Sequence, residues 1–117
     1  MDIETAGDWA RVLAAAAHPT RLMIMAELLE GTKCVHRMQE LLAIPQPNIS
    51  RHLKELRYSG LVAFYQDGAS RCYYLTKPSL VRDLFAFLER DHPAVASAPE
   101  KAAQVLKGSQ YESHCDM

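Results

Sequence analysis

Apolar residues recur at helical spacing along most of the chain, and the pattern changes character in one place. Trp9, Val12 and Leu13 line one side of a stretch at about residues 5–16. After His18-Pro19 a second stripe runs through Leu22, Met25, Ala26 and Leu29 until Gly31. Val35, Met38, Leu41 and Leu42 form a third. Ile44-Pro45-Gln46-Pro47 interrupts it, and Ile49, Leu53 and Leu56 make a fourth that Ser59-Gly60 stops. The spacing predicts two short amphipathic helices joined by a few turn residues, a helix-turn-helix, with the second helix spanning about Pro47 to Ser59. Leu61–Tyr65 and Arg71–Leu75 are then β-rich runs separated by Gln66-Asp67-Gly68-Ala69-Ser70, which predicts a hairpin, or wing, directly after that helix.

Pro78 opens a last helix, ended by Asp91-His92-Pro93, in which Leu80, Val81, Leu84, Phe85, Phe87 and Leu88 leave little of the circumference polar. A small domain covers only one side of such a helix, so the other side is expected to meet a second subunit. From Pro93 onward Pro, Ser and Gly break the pattern, apart from a short helical candidate at Glu100 to Lys107. The fold expected is mostly α with a small β-hairpin, a winged helix-turn-helix that forms a homodimer. Residues 1–92 are expected to form the DNA-binding and dimerisation domain, and 93–117 a flexible C-terminal tail.

Nucleic acid enters as a partner through the face opposite the fourth stripe. With Ile49 at the centre of the buried side and ~100° per residue, Arg51, Lys54 and Tyr58 emerge opposite it, with Asn48 and Ser50 on the flanks. A polar outer face is common to any solvated helix, so charge decides. Residues 46–77 hold Arg51, Lys54, Arg57, Arg71 and Lys77 against Glu55 and Asp67, a net +3 in a chain of net charge −1, which leaves −4 elsewhere. Such concentration is the electrostatic footprint of phosphate binding. Gln46, Asn48, Ser50, Arg51 and Lys54 are expected to enter the major groove of double-stranded DNA, and Arg71 on the wing to meet phosphate or the minor groove. The positive patch argues against a winged-helix module that binds protein instead.

Composition narrows the remaining classes. At 117 residues and 49% hydrophobic, the chain is one small domain with little core to spare, which also favours dimerisation. The apolar stretch Val12 to Ala17 is far short of the ~20 residues that span a bilayer, so no membrane partner and a cytoplasmic location are expected. Cys34, Cys72 and Cys115 are an odd, widely spaced set without a C-x-x-C pair, which does not suggest a disulfide framework. No Ser-His-Asp or paired-carboxylate arrangement and no phosphate-cradling glycine loop is visible, so an enzyme is not expected.

Several separated motifs agree in order and spacing: Ala17-His18-Pro19-Thr20-Arg21-Leu22, Pro47 through Arg57, Ser59-Gly60-Leu61-Val62, and Gly68 through Tyr74. Together, over about residues 8–90, they resemble the ArsR/SmtB family of bacterial winged-helix repressors. The resemblance implies a homodimer built on the first and last helices that binds an inverted-repeat operator and releases it when a metal, metalloid or oxidant is sensed. Members that sense arsenite carry Cys-Val-Cys-Asp-Leu before the turn. Here the run is Cys34-Val35-His36-Arg37-Met38-Gln39, so the first thiol matches and His36 replaces the second. Zinc-type members place ligands where this chain has Lys77, Ser79, Arg90 and Pro93, so that site is not expected.

The resemblance therefore implies a DNA-binding repressor released by As(III) or a soft divalent metal ion, and the donor chemistry of the chain makes Cys34, His36 and Cys115 the candidate ligands. A thiol-redox-responsive repressor and a constitutive DNA-binding protein stay open beside it. By analogy with the small polar residue common there, Cys34 is placed at a helix N-cap, where unpaired N–H groups favour a polar side chain. His114-Cys115-Asp116 is a compact trio of donors on the tail. If Arg71 points to DNA, alternation sends Cys72 inward as a buried structural thiol. His18 and His52 are expected to be structural, and Met23, Met25 and Met38 to be packing residues.

Overall fold

The starts of the first three helices are set by side chains that satisfy unpaired backbone N–H groups. In the computed structural model, which describes residues 1–90, the Asp2 carboxylate accepts from the Thr5 N–H at 2.8 Å. Those bonds to Thr5 hold the Asp2 carboxyl below its ordinary pKa. Helix α1 therefore spans Ile3–Ala16, beginning earlier than the apolar spacing alone predicts. His18 caps α2 (Pro19–Leu29) by accepting the Thr20 N–H on Nδ1 at 3.1 Å, with Pro19 in the first turn. Cys34 caps α3 (Val35–Leu42), its Sγ accepting from the Arg37 N–H at 3.4 Å, as expected. Helix α4 spans Gln46–Tyr58, shifted one residue toward the N-terminus from the expected span, and follows Pro45 without a side-chain cap.

Lys33–Cys34, β2 (Val62–Asp67) and β3 (Ser70–Leu75) form an antiparallel sheet in the order β1-β3-β2, Lys33–Cys34 being β1. The first strand has no counterpart in the sequence reading, because two residues are too few to show alternation and only the pairing with β3 makes them a strand. The wing is also tighter than expected. Asp67 pairs with Ser70, which leaves Gly68 and Ala69 as a two-residue turn with positive φ at Gly68. Glycine at the first central position is what a type II′ turn requires, and that turn matches the twist of the strands. Helix α5 follows at Pro78–Glu89.

Ile24, Met25, Met38, Ile49, Leu53, Leu56, Leu61, Val62 and Val81 are fully buried and draw α2, α3, α4, β2 and α5 around one core. This is the winged helix-turn-helix expected, with a third strand added. Val12 packs on the core beside buried Ala15 and Ala16, whereas Trp9 and Leu13 are 58% and 59% exposed. On α5, Val81 is buried and Leu84 and Phe85 are partly so, while Leu80 and Phe87 remain exposed. Among the described residues no single helix is long and apolar enough to cross a membrane. The tail expected from residue 93 lies outside the described residues.

The turn between α3 and α4 contains the one non-glycine residue in the left-handed region among the described residues, Ala43 at φ 55° and ψ 42°. A Cβ there costs roughly 1–2 kcal/mol, part of which a glycine returns as extra freedom of the unfolded chain. Ala43→Gly is therefore expected to raise stability by about 0.5–1 kcal/mol, read as a shift of the urea midpoint at unchanged slope. An unchanged or lower midpoint would show that the turn is not strained at this residue.

Candidate nucleic-acid interface

Burial of Ile49, Leu53 and Leu56 fixes the rotation of α4 about its axis. Gln46, Asn48, Ser50, Arg51 and Lys54 are consequently all exposed, as their sequence positions predict. Arg51 donates to the Asn48 Oδ1 at 3.4 Å, one helical turn apart, which aligns two base-reading side chain types on the open face. Between α4 and the wing lies a groove of about 530 Å³ whose lining includes Gln46, Ser50, Lys54, Arg57, Gln66 and Arg71. That lining carries three cationic side chains and no carboxylate.

Aromatic rings hold those cations in place. The Arg71 guanidinium carbon stands 4.6 Å from the Phe64 ring centroid and that of Arg57 stands 5.3 Å from it. Arg57 and Lys54 also lie 5.6 Å from the Tyr58 ring. Each such contact contributes about 0.5–1 kcal/mol at an exposed site and leaves the donors free to meet an anion. Arg57 and Gln66 belong to this groove although the sequence reading did not place them in the site. Arg57 was visible only as part of the positive run, since its position on the helix is intermediate between core and outer face.

The thiols are arranged differently from the expectation. Tyr73 and Leu75 are the buried residues of β3, so by alternation Arg71 shares their side and Cys72 shares the other with exposed Tyr74. Cys72 is half-buried and does not enter the core. It stands opposite Cys34 of β1 and opposite Tyr65 of β2. The charge of the Cys72 sulfur, then burial and the hydrogen bond between the two side chains, raise the Tyr65 hydroxyl above its ordinary pKa. His36 turns toward Glu40, with Nε2 3.7 Å from its carboxylate. Among the described residues no group of three or more His, Cys, Asp or Glu side chains could hold a metal ion. Cys34 and His36 alone fall short of the three thiolates that trivalent arsenic prefers, and Cys115 lies outside the described residues.

Residues 18–63 match the family described as bacterial regulatory protein, arsR family. The chain is 38% identical over 73 residues to the HTH-type transcriptional repressor SmtB of Mycobacterium tuberculosis, covering 62% of this chain and 52% of that protein. It is 34% identical over 100 residues to the HTH-type transcriptional regulator CmtR of Mycobacterium bovis, covering 80% of this chain and 82% of that protein. The chain belongs to the ArsR family. The transcriptional repressor BigR of Xylella fastidiosa has a solved structure that superposes with a TM-score of 0.65 at 31% identity, over 75% of this chain and 93% of that one. The chain spans about half the length of the SmtB relative it matches. The relatives carry names of regulators and repressors, in agreement with the expectation that the chain is not an enzyme.

In this ArsR-family chain helix α4 is tied to the rest of the domain by a histidine. Arg21 Nε donates to the His52 Nδ1 at 3.2 Å while Arg21 Nη1 donates to the Ala15 carbonyl at 3.1 Å, and the His18 and His52 ring centroids lie 4.3 Å apart. Both histidines are thus structural, as expected. Burial, then the neighbouring His18, Arg21 and Arg51 charges, lower the His52 pKa, with Glu55 opposing. The unfolded chain therefore binds a proton at His52 more readily than the folded one. Stability from this junction is present above the unfolded value of about 6.5 and is lost as pH falls through the lowered folded value. Denaturant midpoints are expected to fall on acidification below about pH 6.5, and His52→Gln should flatten that segment of the profile. A wild-type profile that is level there would overturn this role of His52, and a sloping one unaltered in the variant would assign the acid sensitivity elsewhere.

Proposed function

We propose that this chain is a transcriptional repressor that binds double-stranded operator DNA as a homodimer and is released through its thiols. The observation that carries the DNA-binding reading is the carboxylate-free cationic groove between α4 and the wing, continuous with the exposed polar face of α4. Asn48 and Arg51 have the chemistry to read adenine and guanine edges, and Gln46, Ser50 and Lys54 flank them on the same face. Arg57 and Arg71, stacked on Phe64, are placed to neutralise phosphate. Exposed Trp9 and Leu13 on α1 and Leu80 on α5 support a homodimer, in which two recognition helices would meet successive major grooves roughly 34 Å apart.

For the inducer, the sequence leaves a soft metal or metalloid such as As(III) beside an oxidant. The metal reading uses Cys34, His36 and Cys115, of which the described residues supply a half-buried Cys34 and a His36 turned toward Glu40. Oxidation needs no third ligand, and the placement of Cys34 opposite Cys72 favours it. Cys34 caps the helix that braces α4, so a change at its sulfur reaches the recognition helix through one packed neighbour.

Mobility shifts or anisotropy with operator DNA test the first reading. Binding is expected to weaken steeply with salt, each neutralised phosphate adding about 0.9 to the logarithmic slope. Arg51→Ala is expected to cost about 1–3 kcal/mol and relax sequence preference, whereas Arg71→Ala should weaken binding evenly across sequences and reduce the slope by about 1. A salt-independent interaction would overturn the phosphate-binding role of the groove.

Sedimentation tests the assembly. Leu13→Glu and Leu80→Glu change residues that are exposed in the single chain, so the fold should survive while a dimer dissociates. Leu84 packs on the core, and its substitution would unfold the chain instead. A wild-type monomer at micromolar concentration would overturn the homodimer.

A further inference from the structure

Two of the three cysteines, 38 positions apart in the chain, are brought face to face by the sheet. Cys34 in β1 and Cys72 in β3 are direct antiparallel partners. Residues so paired project to the same side, with Cα atoms about 4.5 or 5.5 Å apart. Both separations fall inside the roughly 4.4–6.8 Å that a disulfide spans. Each thiol is half-buried, reachable by a small oxidant yet held by its strand. Tyr65 stands opposite Cys72 on β2, so the row across the sheet reads Cys34, Cys72, Tyr65.

We propose that Cys34 and Cys72 form a cross-strand dithiol that hydroperoxides close to an intrachain disulfide. Among the described residues no third donor joins the pair to make a metal cluster, whereas disulfide closure requires two thiols and nothing more. One thiolate attacks a peroxide oxygen, the O–O bond breaks, and the leaving hydroxide takes a proton to become water, which leaves a sulfenic acid. The second thiolate attacks that sulfur and displaces hydroxide, which leaves as water after protonation. Two thiols lose two protons and two electrons, and one hydrogen peroxide takes them up to become two waters. The closed loop encloses α3, α4 and β2, and it ties the N-cap of α3 to the returning strand of the wing.

The inference rests on the sheet register and not on the repressor reading, so its test needs no DNA. The full-length chain carrying Cys115→Ser is reduced, treated with a few equivalents of hydrogen peroxide, quenched with catalase and alkylated. Intact mass is expected to show loss of two hydrogens without alkylation, reversed by dithiothreitol. Digestion without reduction should give one cross-linked pair containing Cys34 and Cys72. Closure in the folded chain should be at least about tenfold faster than in urea, because the strands hold the sulfurs together. In the wild-type chain the same pair should form in preference to a link with Cys115. Two alkylatable thiols after peroxide, sulfinic products in place of the cross-link, links between chains, a preferred link to Cys115, or equal rates in urea would each overturn the proposal.

Discussion

Everything the outer surface of the recognition helix can do depends on the burial of three side chains on its inner surface. Ile49, Leu53 and Leu56 have no exposure, and each contributes about 1.5–3 kcal/mol by leaving water. A rotation of α4 by one residue, ~100°, would expose part of this stripe and bury charge. The helix is therefore locked in rotation by a cost larger than any single contact on its polar face. Asn48, Ser50, Arg51 and Lys54 face outward as a consequence of what Ile49, Leu53 and Leu56 do inward. His52, at the edge between the two faces, adds a polar latch through Arg21 to the end of α1.

The groove beside that helix gathers like charges, which is unfavourable unless something offsets it. Phe64 supplies part of the offset by offering its π face to both Arg57 and Arg71 from a half-buried position on β2. Both guanidinium groups thus lie against an aromatic ring, which offers them a favourable electrostatic neighbour. Repulsion that persists among Lys54, Arg57 and Arg71 is relieved when an anion enters, so the same arrangement that strains the free protein favours a polyanionic partner. Salt acts on both effects, because screening weakens the repulsion as well as the attraction.

The sheet has a second role next to the groove, whose lining also includes Cys34. Its alternation places Tyr73 and Leu75 in the core and leaves Cys72 and Tyr74 on the outer side. The short strand that precedes α3 then aligns Cys34 with Cys72. One residue of chain thus serves as strand partner, helix cap and thiol. Any chemistry at its sulfur acts on the first turn of the helix that packs against α4, which couples the wing's base to α4 by direct contact rather than through a long path.

The sequence by itself determined the helices, the turn between α3 and α4, the hairpin and the polar face of the recognition helix. These follow from periods of 3.6 and 2 and from the positions of Pro and Gly, which act over a few residues. It also placed Cys34 at a helix cap, by the analogy with related chains, and His18 and His52 in structural roles. Only the tertiary structure decided which side of β3 faces the core, and it reversed the assignment of Cys72, because local alternation states that neighbours differ without stating which one is inside. It likewise decided the existence of β1, whose two residues have no pattern of their own, and the entry of Arg57 and Gln66 into the groove. Those features depend on pairings between residues far apart in the chain, such as Cys34 with Cys72 and Arg21 with His52. No local period encodes such pairings; they are fixed when the core closes.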